Sequence, residues 1–278
     1  MKSSKLFLLL STLQEAEWMR LESFLLSPYF NTDSEVTQLF RLLATHLQKH
    51  PIPAPPAKEE LAQQLWPGQA YDAKNFTYLL SRLSKLSEHF LAIEKLDAHG
   101  MELAFAKLEI FSERNLDKHY RSTKREIERQ LENGGERFLG IYKSRARLAE
   151  IDDQNYIRQK RRVHDISIQQ AAFYLDYSYY LQRLHQACSM LDRQLILQVD
   201  YNITISDSWI AQVQEHLAGQ EAIIQIYLSI FKMLRNEKET KHFSTFKKRL
   251  ANLPRDASAQ DLAEIYQFGI NYCARKIR

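Results

Sequence analysis

Glycine is scarce in this chain: seven residues in 278, where the usual ~7% would supply roughly 20. Glycine provides the positive-φ positions of hairpin turns and of loops that cradle phosphates. A β-rich fold or a glycine-loop nucleotide site is therefore disfavoured, and an all-α fold becomes the expectation. Cysteine is nearly absent as well. Cys188 and Cys273 lie far apart, with neither the spacing of a disulfide framework nor that of a metal site. No stretch approaches the ~18 uninterrupted apolar residues of a membrane span. The opening MKSSKLFLLLSTL holds a short apolar run, but Gln14, Glu15 and Glu17 follow without the small-residue pattern of a signal-peptide cleavage site. A cytoplasmic location with no membrane contact is expected.

What is present is ordinary in amount, 45% hydrophobic and 26% charged, and informative in distribution. Between Ile141 and Val163 seven basic residues (Lys143, Arg145, Arg147, Arg158, Lys160, Arg161, Arg162) stand against three acids, Glu150, Asp152 and Asp153. That excess equals the net charge of the whole chain, +4. An electrostatic partner is thus expected to be met locally rather than by a uniformly basic surface.

Helical periodicity and caps predict about twelve helices. The first is expected from a capping box, Thr12-x-x-Glu15, through Trp18, Leu21 and Leu25 to Ser27-Pro28, where proline disfavours helix in the residue before it. Asp33 caps the second. The segment HPIPAPPA, His50–Ala57, holds four of the seven prolines and predicts an extended connector at 51–57. It would separate an N-terminal helical module, 1–50, from a stack of helical hairpins, 58–278. Further helices are expected over 101–114, 116–133, 136–164, 167–200, 207–218, 220–236, 240–252 and 258–277. Gly134-Gly135, Gly219 and Pro254 mark stops. DYNITIS, Asp200–Ser206, looks strand-like but has no partner strand and reads as a loop. Short connections make neighbours antiparallel, which predicts a solenoid-like stack. The helices are too long for a thirty-four-residue tetratricopeptide repeat.

Projected at 100° per residue, the helix from Ser167 carries two apolar stripes. Phe173, Tyr177, Tyr180, Leu184, Leu191 and Leu195 form one; Ile168, Ala172, Leu175, Tyr179, Met190 and Leu197 lie nearly opposite. Two stripes predict cover on two sides, the position of a middle layer.

The segment EELAQQLWPGQAYDAKNFTYLLSRLSKL, Glu59–Leu86, predicts a short helix, a Trp-Pro-Gly turn and a longer helix. Leu61, Leu65 and Trp66 pack under a stripe of Phe76, Leu79, Leu80, Leu83, Leu86 and Phe90. The pattern resembles part of the winged-helix domains of bacterial response regulators and pathway activators. In those, a helix ending in Leu-Trp-Pro leads to a DNA-recognition helix ending in Ser-Arg-Leu. The resemblance implies Lys74, Tyr78, Arg82 and Lys85 as DNA contacts. It covers a tenth of the chain and then departs: a wing hairpin should follow, whereas the helical pattern continues through His89, Phe90, Ile93 and Leu96. FLLSPYFN, Phe24–Asn31, with VTQLFRLL after it, resembles the start of a family of all-helical bacterial proteins. That likeness implies a helical fold and no activity or site residues.

Catalytic constellations are lacking. The nine histidines are scattered along the chain, and no nucleophile elbow occurs. His185 and Cys188 are one helical turn apart, but two ligands do not make a zinc site. No enzyme activity, metal, cofactor or small-molecule substrate is expected. The leading expectation is a scaffold whose groove or basic patch binds a protein partner, an acidic one for preference. Its anchors are Tyr142, Arg145, Tyr156, Arg158, Arg161 and Arg162 on one helix, with Tyr174 and Arg183 on the next, since exposed tyrosine and arginine dominate binding surfaces. The alternative is a DNA-binding regulator acting through 59–86.

Overall fold

The computed structural model describes residues 5–49, 56–98, 100–133, 138–159, 165–216, 222–253 and 257–277. Among them are thirteen helices and no strand, so the protein is all-α. They are α1 Lys5–Ser11, α2 Glu15–Leu26, α3 Ser34–Lys49, α4 Lys58–Leu65, α5 Ala73–Ala98, α6 Met101–Glu113 and α7 Asp117–Glu132. The remainder are α8 Phe138–Arg158, α9 Ser167–Leu197, α10 Asp207–His216, α11 Ala222–Arg235, α12 Thr240–Leu250 and α13 Ala259–Ile277. No helix among the described residues is long and apolar enough to cross a membrane. The chain forms two compact units, Met1–Leu103 and Ala104–Arg278. The proline connector falls inside the first, because helices on both sides of it share one core: Leu21, Leu25, Val36, Leu39 and Leu43 pack with Leu61, Leu65, Phe76, Leu79 and Leu83.

In the first unit the expected first helix is two. Lys5–Ser11 is a helix of its own, buried through Leu6, Phe7 and Leu10. The capping box sits two residues later than predicted, with the Gln14 N–H donating to Glu17 Oε2 at 2.7 Å; the Thr12 hydroxyl instead donates back to the Leu9 carbonyl. The turn between α2 and α3 is a polar junction. The buried Asn31 amide donates to the Leu25 and Asp33 carbonyls, each at 2.9 Å, and Asp33 Oδ1 caps α3 by accepting from Glu35 N–H at 3.0 Å. Two later elements dock on it: Trp66 Nε1 donates to Glu35 Oε1 at 2.8 Å, and Arg82 pairs with Asp33 at 3.0 Å. Helix α5 runs on to Ala98 without a wing, so the winged-helix resemblance is limited to the two-helix shape.

The second unit is organised around α11. Its sequence, AIIQIYLSIFKMLR, is apolar nearly all round, and ten of its residues from Ile223 to Leu234 are buried. A helix with no polar face must be enclosed. Helices α9, α12 and α13 pack against it, and α8 packs along α9. Helix α9 is thus covered on two sides, by α8 and α11, but not on the two stripes expected. Its first stripe is core at Tyr177 and Leu184, with Leu181, Ala187 and Cys188 joining them. On the second stripe Ile168, Leu175, Tyr179 and Leu197 are more than half exposed. At its end α9 stops on Gln198, in the left-handed region at φ 54°, and the following residues to Ser206 form a loop with no strand. Between α12 and α13, a Cβ added at Gly269 would meet the Phe246 ring at 3.0 Å, so the missing side chain lets that ring seat.

Phe231→Ala on α11 should lower stability by about 3–5 kcal/mol, the loss of a buried aromatic side chain plus its cavity. Leu175→Ala on the exposed stripe should change it by less than about 0.5 kcal/mol. Urea titrations followed by circular dichroism check both. Comparable losses would show the second stripe of α9 to be packed.

Candidate functional site

Helix α7 lies on α8 by one face, burying Tyr120, Thr123, Ile127 and Leu131. A groove follows this seam and widens into two hollows of about 210 and 290 Å³, which share Lys124 and Asp152. Asp152 is the groove's hub. The Tyr120 hydroxyl donates to its Oδ1 at 2.5 Å and Lys124 Nζ to its Oδ2 at 2.6 Å. Burial first, and then the hydrogen bond to Asp152, push the Tyr120 phenol well above its ordinary range, which keeps it a neutral donor. On the other side of α8, Arg147 pairs with Glu109 of α6 at 3.0 Å and lies over the Phe105 ring at 4.6 Å.

Three of the predicted anchors meet in this groove. Tyr156 lines the first hollow, while Arg145 and Tyr174 line the second, the guanidinium 5.6 Å over the tyrosine ring. Others do different work. Tyr142 is only 5% exposed and packs at 5.4 Å on the Tyr177 ring; it is a core residue, because α8 presses that face onto α9. Arg158 braces two helices, donating to Ser112 Oγ at 2.7 Å, and Ser112 donates in turn to Asn155. Arg183 donates to Thr204 Oγ1 at 2.9 Å and pins the loop after α9. Arg161 and Arg162 lie outside the described residues. On α5, Lys74, Tyr78 and Lys85 are exposed; Arg82 is engaged by Asp33.

Sequence reading passed over the outer face of α7. Lys118, Arg121, Arg125 and Arg129 stand exposed along it, and none has a carboxylate partner among the described residues. The acids nearby are drawn elsewhere. Asp117 accepts from Gln159, Glu126 from Gln130, and Glu128 pairs with Lys124. Arg121 lines both this face and the groove, so the two form one surface. Arg121–Arg125 and Arg125–Arg129 are like charges four apart, each destabilising by roughly 0.2–0.5 kcal/mol. A helical projection of α7 could have found this stripe; a search for consecutive basic runs could not.

Among the described residues no cluster of three or more His, Cys, Asp or Glu could hold a metal ion. Burial pushes the Cys188 thiol well up, and its sulfur points at the Tyr227 carbonyl, 3.5 Å away.

Tyr120→Phe should destabilise by about 1–3 kcal/mol at pH 8, because Asp152 loses a buried donor. Unfolded tyrosine ionises near pH 10, while the folded phenol holds its proton to higher pH. Its contribution is thus complete below pH 10 and lost as pH rises above it. The gap between variant and wild type should narrow by about 1 kcal/mol at pH 11, read from urea unfolding. A constant gap would show that the phenol ionises alike in both states.

Comparison of the chain with protein-family models, curated proteins and solved structures finds no match.

Proposed function

We propose that this protein is a non-enzymatic scaffold that binds an acidic segment of a partner protein along α7 and the adjoining groove. The observation that carries this reading is the row of exposed cations Lys118, Arg121, Arg125 and Arg129, unpaired among the described residues. Their mutual repulsion is relieved by a partner's carboxylates spaced along the same face. Arg145, Tyr156 and Tyr174 in the groove supply the aromatic and arginine contacts that fix register. The exposed apolar side chains Ile157, Ile168, Leu175 and Tyr179 favour protein over nucleic acid as the partner class. Several titratable groups that resemble catalytic ones are already bonded within the fold, as Asp152 and Cys188 are, which supports binding rather than chemistry.

A second reading keeps DNA as the partner, through α5. It is favoured by Tyr78, 63% exposed, standing between exposed Lys74 and Lys85, residue types that touch phosphate and base edges.

Poly-L-glutamate serves as the probe, with binding read by fluorescence anisotropy. Affinity should fall as salt rises. It should drop roughly tenfold or more in Arg121→Glu/Arg125→Glu/Arg129→Glu, since exposed pairs at about 0.5 kcal/mol each become repulsions. Lys74→Glu/Lys85→Glu should leave it unchanged. Binding indifferent to the triple reversal would remove the α7 surface from consideration. Duplex DNA binding lost only in the double variant transfers the assignment to α5.

A further inference from the structure

A separate hollow of about 340 Å³ opens at the start of α8, walled by Phe138 and Leu139 of α8, Leu181 of α9 and the Tyr227 ring of α11. Its size falls at the lower end of small-molecule sites, ~300–1,000 Å³, and like them it joins apolar walls to a few polar groups. Two of those polar groups are committed to the fold. The buried Asp261 carboxylate accepts from Phe138 N–H at 3.0 Å and from Ser258 Oγ at 2.7 Å, tying the beginnings of α8 and α13 together. His185 Nε2 is bonded to Glu264 Oε1 at 2.5 Å, with its ring edge-on to Tyr227.

Lys143 is different. It lines the hollow, is exposed, and has no ion pair among the described residues. Gly140 is the second particular feature. It is the third residue of α8 and lines the same hollow, although glycine is a poor helix former. Its backbone is not left-handed, since Gly68 is the glycine with positive φ among the described residues. What Gly140 contributes is a missing side chain, and with it space against the apolar wall.

We propose that this hollow is a binding site for a small amphipathic carboxylate. The apolar chain or ring occupies the space beside Gly140, Leu181 and Tyr227, and the carboxylate meets the Lys143 ammonium at the rim. Apolar burial drives entry, and the single cation selects a charged head group over a neutral one. This site shares no residue with the α7 surface, and neither depends on the other.

The test is isothermal titration calorimetry with octanoate, using 1-octanol as the neutral control. Octanoate should bind saturably with one site per chain, and octanol at least tenfold more weakly. Lys143→Glu, an exposed change that leaves packing intact, should weaken octanoate at least tenfold. Gly140→Leu, which fills the hollow while favouring helix, should do the same; circular dichroism confirms that both variants are folded. The assignment is overturned if octanoate fails to saturate at millimolar concentration, or if octanol binds as well. It is overturned equally if either folded variant binds octanoate like wild type, since a carboxylate held by Lys143 alone would be a surface contact, and one insensitive to Lys143 would not need the charge.

Discussion

Helix α11 has no polar face to turn toward water, and the second unit is arranged by the need to enclose it. Ten buried residues on a fourteen-residue helix require neighbours on every side. Helix α9 gives its better stripe to that task, through Leu181, Leu184 and Cys188, and so leaves Ile168, Leu175 and Tyr179 in solvent. Helix α8 then covers another part of α9, which draws Tyr142 down onto Tyr177. Helix α7 lies on α8 by a single face and ends the sequence of layers. Its outer side is covered by none of its neighbours, and there the unpaired cations collect. The candidate surface is where enclosure of α11 stops propagating.

Charged residues in both units divide into struts and free groups, and the division follows the position of the nearest suitable acceptor. Arg82 reaches Asp33, Arg147 reaches Glu109, Arg158 reaches Ser112, and Arg275 is shared between Asp192 and Glu237. Each joins two elements distant in sequence. Partly exposed pairs of this kind contribute at most about 1 kcal/mol, so their role is to fix where one helix lies on another more than to raise stability. The α7 cations face acids of their own helix at suitable spacing, yet Asp117, Glu126 and Glu128 turn to Gln159, Gln130 and Lys124. A net charge of +4 says nothing of this, because it counts braced and free cations alike.

The helices were legible in the sequence because period and punctuation agree. The expected 207–218 and 240–252 appear as Asp207–His216 and Thr240–Leu250, and the Phe76–Phe90 stripe is buried as its spacing implies. What the sequence withheld was cover. Projection shows which faces of a helix are apolar; burial depends on neighbours a hundred residues away. Hence the second stripe of α9 looked covered, and Tyr142 looked like an anchor. The domain boundary expected at the connector, whose residues 51–55 lie outside the described ones, failed for a related reason: prolines break a helix, but they do not stop α3 from packing on α4 and α5. The α7 stripe was hidden because its four cations stand three and four residues apart, so no consecutive run marks them.

Scarcity changes the meaning of the glycines that remain. Where the described backbone turns left-handed outside glycine, it does so at Asn115 and Gln198, so this chain tolerates the steric cost of a side chain at positions where glycine is the usual choice. Conformational need therefore does not explain the glycines placed inside helices. At Gly269 the reason is contact, since a Cβ there would press on the Phe246 ring. At Gly140 the reason is space, since the residue lines a hollow that a larger side chain would reduce. In a sequence with glycine to spare, neither position would stand out. Here a helical glycine costs stability without serving the backbone, and the compensating gain has to be sought in what occupies the room it leaves: at Gly269 an aromatic ring of the same chain, at Gly140 the apolar part of a ligand.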